Sequence, residues 1–436
     1  MVCLGAVMTL AHHWLADPVR ISLYKDEPRY INYALSLVEH QTFGISHDYK
    51  TNVRQPGAAN TPAYPALLAV STWLSDKQRQ TLLCIQADPE HQVGCPQHFS
   101  AVLFIQYLLS IGTLAGLWML ARQLNTGSRW VMPVTTVILA MLSTELFAMA
   151  RELRTEILVV PLFTWLLVVW HQLLTHPGTA RSLMMGALLA GLTLTRPEYL
   201  YLTGFLLVIT LCRGHLRKAA APLVIMFLLT LSPWLLRNQI QVGAPVLTAA
   251  SYGDTVLVQR LTYNRMDWSQ WLAAFVYFIP DSGDRWSEAL FPEDWYQPLK
   301  DTHPDAYMSH WPQDQQQFVQ AAGDRSVLSY LLTQEVLPNA GWHIATSIPL
   351  AWRGLLVGKY WGMLGLIALC WWLYRDPQIR WWITPVGFLV ALHAGVSISI
   401  PRYNIMLIIP YALAMAAWVT HIWQQQTGSD HVTAQP

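Results

Sequence analysis

Ten continuous apolar stretches, at about residues 1–16, 99–120, 130–149, 157–174, 181–195, 198–212, 219–236, 358–373, 381–399 and 403–422, dictate what this chain can become. Such a run crosses a membrane as a helix, because about 20 helical residues span the hydrocarbon and every backbone polar group is then bonded within the segment. Composition agrees. The chain is 53% hydrophobic and 12% charged, with 21 Trp, whereas soluble domains carry about 25% charged residues. The expectation is an all-α polytopic membrane protein of about ten transmembrane helices, with amphipathic helices in two large outer loops. The first stretch is short, since residues 1–16 reach only about 24 Å as a helix. It either packs against other helices or continues an upstream piece. A cleaved signal peptide would need a Lys or Arg ahead of its apolar run, and none stands there.

Charge sets the orientation. Alternate short loops carry Arg122, Arg129, Arg181, Arg213, Arg217, Lys218, Arg375 and Arg380 against one acid, Asp376, which the positive-inside rule assigns to the cytoplasm. The segments are then a first transmembrane helix (1–16), a first outer loop (17–98), helices two to seven (99–236), a second outer loop (237–357), helices eight to ten (358–422) and a cytoplasmic tail (423–436). In the tail, TGSDHVTAQP reads as disordered. A net charge of +1 with no basic domain or tail argues against a nucleic-acid partner.

The short outer loops RELRTE (151–156), RPE (196–198) and PRY (401–403) still contain Arg151, Arg154, Arg196 and Arg402. Outward arginines either snorkel to lipid headgroups or hold an anion at the outer face. In the first outer loop, DEPRYINYALSLVEH places Ile31, Ala34, Leu35 and Val38 at helical spacing with Glu27, Asn32 and Glu39 pointing elsewhere, the pattern of an interfacial helix. TPAYPALLAVSTWL (61–74) offers Thr61 as a cap and Pro62 in the first turn. Residues 326–362 read as amphipathic helices broken at Pro338 and Gly341. Cys3, Cys212 and Cys370 fall in or beside spans and suit packing. Cys84 and Cys95 lie outside, where a disulfide would stabilise by about 2–3 kcal/mol in the chain-entropy model; a zinc site with His91 and His98 fits no strong spacing.

Asp26 and Glu27 follow the first apolar stretch, with Arg29 close behind. A carboxylate there either caps a helix or serves as a general base where membrane and water meet, ionised at neutral pH and able to take a proton from an attacking hydroxyl.

These residues carry a resemblance. DEPRYINYALSLVEHQTFG resembles the first outer loop of membrane glycosyltransferases of the GT-C superfamily, in the branch of lipid A aminoarabinose transferase and the protein O-mannosyltransferases, where Asp-Glu-x-x-Tyr follows the first span. NTPAYPALLA, RELRTEILVVPLF, LTLTRPEYL, SPWLLRNQIQVGAPV and PRYNIMLIIPYALA follow in the family's order. That branch generally carries more spans or a sizeable soluble domain, and this chain stops about 14 residues after its tenth span.

The resemblance implies a GT-C-like fold. It also implies a donor that is a polyprenyl-phosphate-linked monosaccharide, undecaprenyl phosphate in a bacterium, and inverting transfer of one sugar to an acceptor protein, lipid or glycan. The enzyme would sit in the inner (plasma) membrane with its active site facing the periplasm or exterior. It gives Asp26 the role of catalytic base with Glu27 as substitute, and makes Arg29, Arg54, Arg154, Arg196, Arg237 and Arg402 donor-phosphate ligands. Glu156, Tyr64 and Tyr403 would orient the acceptor, with Glu156 alternatively paired to an arginine. The leaving phosphate gains negative charge in the transition state, so fixed cations lower the barrier more than they tighten binding. No nucleotide-binding Gly-rich loop or metal-ligand cluster appears, so no cofactor is expected, although Asp26 and Glu27 could serve a divalent metal. A transporter or flippase would show a repeat and mid-span charges, and an O-antigen ligase or polymerase would use a diphosphate-linked donor.

Overall fold

The computed structural model describes residues 26–45, 55–87, 94–124, 130–248 and 251–427. The expected first helix (1–16), Arg54 and the tail beyond residue 427 lie outside them.

The described chain is almost wholly helical: α1 (Glu27–His40), α2 (Ala63–Trp73), α3 (Asp76–Ala87), α4 (Ser100–Leu124), α5 (Val131–Met141), α6 (Thr144–Arg151), α7 (Glu156–Thr175), α8 (Thr179–Thr195), α9 (Tyr199–Cys212) and α10 (Arg217–Gln241) come first. Then follow α11 (Ser251–Thr262), α12 (Trp268–Tyr277), α13 (Gly283–Leu290), α14 (Glu293–Tyr296), α15 (Tyr307–Ala322), α16 (Val327–Tyr330), α17 (Ala340–Leu355), α18 (Tyr360–Arg375), α19 (Ile379–Val396) and α20 (Ile408–Thr427), the last entered through a 3₁₀ stretch, Pro401–Leu407. A two-residue antiparallel ribbon pairs Gly44–Ile45 with Gln55–Pro56.

Each expected span after the first has a helix beneath it. Among the described residues, five helical segments are long and apolar enough to cross a membrane: Ser100–Leu124, Glu156–Thr175, Gly214–Gln241, Ile379–Val396 and Pro401–Thr427. The pairs α5 with α6 and α17 with α18 pass the same test together but bend by 67° and 112°, raising the total to 7 if each pair is one span, and Tyr199–Cys212 is a shorter apolar helix. These are the helices of an integral membrane protein.

The chain forms two compact units. The first comprises residues 26–249, 375–382 and 412–427 within the described range, the second 250–374 and 383–411. In the first, α8 packs on α10, α4 and α8 flank α7, and α1 packs on α2. The α8–α10 crossing is tight enough that a Cβ on Gly186 would lie 2.3 Å from Leu223 O. Cys84 and Cys95 are joined by a disulfide that ties α3 to the segment entering α4.

Two local readings change. Ile31, Ala34 and Leu35 bury as expected, but Glu27 and Asn32 are buried too, because each meets a partner from distant sequence: Arg154 for Glu27, and Gln86, whose amide donates to Asn32 Oδ1. Thr61 does not cap α2. Its hydroxyl instead donates to Thr195 O at 2.7 Å, fastening the start of α2 to the end of α8. The break near residue 338 falls between a π-type turn, Leu331–Val336, and α17, so Gly341 lies inside a helix rather than breaking one.

Candidate active site

The first unit gathers buried charge at three helix ends. At the start of α1, Asp26 occupies the N-cap position with helical dihedrals, φ −79° and ψ −18°, and its side chain makes no capping hydrogen bond. Pro28 stands in the first turn, where a missing N–H costs nothing. Glu27 is only 1% exposed. Its Oε1 accepts from Arg154 Nε at 2.9 Å, and its Oε2 is buried without a hydrogen-bond partner among the described residues. A negative charge in the first turn is favoured by the helix dipole. Arg154 also meets Glu152 Oε2 at 2.6 Å, so one guanidinium serves two carboxylates.

The pattern repeats at the α7 and α8 ends. Glu156 opens α7 and is 2% exposed; Arg196, the residue after α8, stands 3.8 Å from Glu156 Oε1 and 2.8 Å from Glu198 Oε1. Thr155 Oγ1 donates to Glu156 Oε2 at 3.3 Å.

Tyr64 joins these groups. It is fully buried and packs edge-on to Tyr30 with centroids 5.1 Å apart. Its hydroxyl donates to Gln106 Oε1 at 3.0 Å, and Gln106 Nε2 in turn donates to Ala150 O at 2.9 Å and Glu152 O at 3.3 Å. Burial first, then Tyr30 and the charges of Glu27 and Glu156, push the Tyr64 hydroxyl well above its usual pKa, so it stays a neutral donor. Gln106 was not anticipated from the sequence, although an amide inside the apolar run VLFIQYLLS is itself a signal.

The remaining arginines are placed differently. Arg29 is partly buried and has no ion-pair partner among the described residues. Arg237 donates to Gly57 O at 2.8 Å, to Asn238 Oδ1 at 2.7 Å and to Phe43 O, and lies over the Phe43 and Trp234 rings at 5.5 and 5.2 Å. It fastens the ribbon segment to α10. Farther along α1, Arg79 grips Glu39 with two hydrogen bonds, which hold the Glu39 carboxyl below its usual pKa. Arg402 and Tyr403 belong to the second unit, partly buried in the 3₁₀ stretch, the Tyr403 ring 6.1 Å from His393.

Of the sequence candidates, Glu27 and Arg154 therefore pair beside Asp26, Tyr64 reaches the backbone next to that pair through Gln106, and Glu156 and Arg196 form a second cluster in the same unit. Among the described residues no group of three or more His, Cys, Asp or Glu converges as a metal site. A helical membrane protein with a network of carboxylates and arginines at its helix ends is the class these features define. No family model matches the chain, and no curated protein matches it. Among solved structures it is similar to the crystal structure of ArnT from Cupriavidus metallidurans bound to undecaprenyl phosphate, at 14% identity over 98% of this chain and 79% of that one, with a TM-score of 0.44. The apo structure of the same protein gives 14% identity over 95% and 76%, with a TM-score of 0.42.

Proposed function

We propose that this chain is an inverting glycosyltransferase of the GT-C kind, moving one sugar from a polyprenyl-phosphate donor to an acceptor hydroxyl at the outer face of the plasma membrane. Asp26 takes the hydroxyl proton as the acceptor oxygen bonds to the anomeric carbon, and the carbon–oxygen bond to the lipid phosphate breaks with its electron pair on the phosphate. The observation that carries this reading is the division of labour at the start of α1. Glu27 is buried and locked to Arg154, while Asp26 stands one residue earlier at the helix's N-cap position. The ordered motifs from DEPRY to PRY support the donor class.

The arginines divide on this reading. Arg154 and Arg196 each stand between two carboxylates, so their charge is already matched and their role is to fix Glu27 and Glu156. In the first unit Arg29 is the cation we assign to the donor phosphate and Arg237 is an anchor; in the second, Arg402 keeps the phosphate-ligand role that the resemblance implies. The test is direct: purified protein in lipid nanodiscs is given a synthetic polyprenyl-phosphate sugar with surface glycans, lipid A and secreted proteins as acceptors. Release of the polyprenyl phosphate with gain of one sugar on an acceptor is expected. Consumption of a diphosphate-linked donor alone would sink the proposal.

A further inference from the structure

The turn that presents Arg402 is held from behind by a buried cation. Arg260, at the end of α11, is fully buried, and every hydrogen-bond partner it has is neutral. Its Nε donates to Ala394 O at 2.7 Å, in the last turn of α19; its Nη1 reaches Asn264 Oδ1 at 3.0 Å; its Nη2 reaches His343 O, Thr346 Oγ1 and Ser347 Oγ at 2.8 to 2.9 Å. His343 Nε2 donates to the next carbonyl, Gly395 O, at 2.8 Å. A cation at the carboxyl end of a helix meets the negative end of its dipole, so the C-terminal turn of α19 is pinned by charge as well as by hydrogen bonds.

The chain that follows has little freedom. Ser397 Oγ donates back to His393 O at 2.8 Å. Ser399 takes φ 43°, a left-handed conformation that residues other than glycine rarely adopt. Asn404 is fully buried: its Nδ2 donates to Ser399 Oγ at 3.2 Å and its Oδ1 lies 2.9 Å from His393 Nδ1. From α17, Gly354 presses on the same turn, where a Cβ would lie 2.4 Å from both Asn404 Nδ2 and Ser399 Oγ and 3.0 Å from Ser399 O. Backbone strain maintained by such surroundings clusters at ligand-binding elements.

We propose that Arg260 and Gly354 are positioning residues for Arg402: together they hold residues 397–404 in one geometry, so that Arg402 meets a phosphate monoester without rearranging. This rests on the reading of Arg402 as a donor-phosphate ligand. A fixed cation stabilises a phosphate more than one that must first be ordered.

The experiment measures the affinity of a synthetic polyprenyl phosphate without sugar for full-length protein in nanodiscs, comparing wild type, Arg402→Ala, Gly354→Ala, Ser399→Gly, and each of the last two combined with Arg402→Ala. Arg402→Ala is expected to weaken binding by roughly 10- to 100-fold, the range for one charge-assisted hydrogen bond. Gly354→Ala should weaken it by a comparable factor. Ser399→Gly relieves the strained backbone and removes the Asn404 contact without adding bulk, so it keeps the test alive if Gly354→Ala does not fold; it should weaken binding by several-fold. Neither change should matter further once Arg402 is alanine. Normal binding in Ser399→Gly, or losses that simply multiply with that of Arg402→Ala, would overturn the positioning role while leaving the phosphate reading intact. Normal binding in Arg402→Ala would overturn both.

Discussion

Arg154 donates from Nε to Glu27 Oε1 at 2.9 Å, joining residues 127 positions apart in the chain. With 13% and 2% of the two side chains exposed, this pair lies where water screens little, and the second Glu27 oxygen is buried without a hydrogen-bond partner among the described residues. Removing one member of a buried pair leaves an uncompensated charge, which costs far more than the net worth of the pair.

Arg154→Ala should therefore lower stability by about 3–5 kcal/mol. Glu27→Gln should cost less, because Arg154 keeps Glu152, and the double variant should cost less than the sum of the two. Unfolding of the purified protein in mixed detergent measures all three. Equal, additive losses would show that the pair does not act as a unit.

Asp26→Asn separates base from cap. The substitution keeps size and most hydrogen bonding but removes the proton acceptor, so sugar transfer should fall by about 10² to 10⁴ with donor affinity little changed. Stability should change by under about 1 kcal/mol, since Asn serves at an N-cap position nearly as well as Asp. Full activity in Asp26→Asn with loss in Glu27→Gln would move the base by one residue.

The Glu39–Arg79 pair should leave a mark on acid stability. Hydrogen bonding from Arg79 lowers the folded-state pKa of Glu39, so the unfolded chain, with a glutamate pKa near 4.3, binds the proton more readily. The stabilisation is present above about pH 4.3 and disappears as pH falls through the lowered folded value. Because Arg79 is 42% exposed, the effect is modest and weakens in salt. Arg79→Ala should shallow the fall of stability between about pH 5 and pH 3. Identical slopes for both proteins would rule this contribution out.

Topology is checked with reporter tags. Tags after Arg217 and after Asp376 should be cytoplasmic, and one near Asp305 should be outside, as the loop charges require. A cytoplasmic Asp305 tag would reverse the arrangement and remove the donor from the face that carries the proposed chemistry.

Helix positions were legible because they follow from local runs of apolar residues, and each described span landed on a helix. The bends were less so: the sequence separates amphipathic helices from a span near residue 358, but not the 112° angle between α17 and α18, which turns through Gly358 and Lys359 at φ 73° and 58°. The site was half legible. Polar residues beside span ends named Asp26, Glu27, Arg154, Glu156 and Arg196, but the pairing of Glu27 with Arg154 is a long-range contact that no local pattern encodes. Periodicity even misplaced Glu27 and Asn32, because an amphipathic wheel assigns polar residues to water and cannot see a buried partner. Arg260 escaped for the opposite reason: in SYGDTVLVQRLT it looks like an ordinary surface arginine, yet it is among the most deeply buried side chains of the second unit.

The α8–α10 crossing sets how freely this sequence can drift. On α10, Leu228 and Leu229 are more than half exposed, at 52% and 62%, and any apolar residue of similar length serves there as well. One turn away the rule inverts. Leu223 O would lie 2.3 Å from the first carbon of any side chain placed at Gly186, so that position accepts no second amino acid unless the helices part. A lineage of this protein can exchange most of the lipid-facing surface of α10 one residue at a time, while Gly186 can change only together with the spacing of two helices.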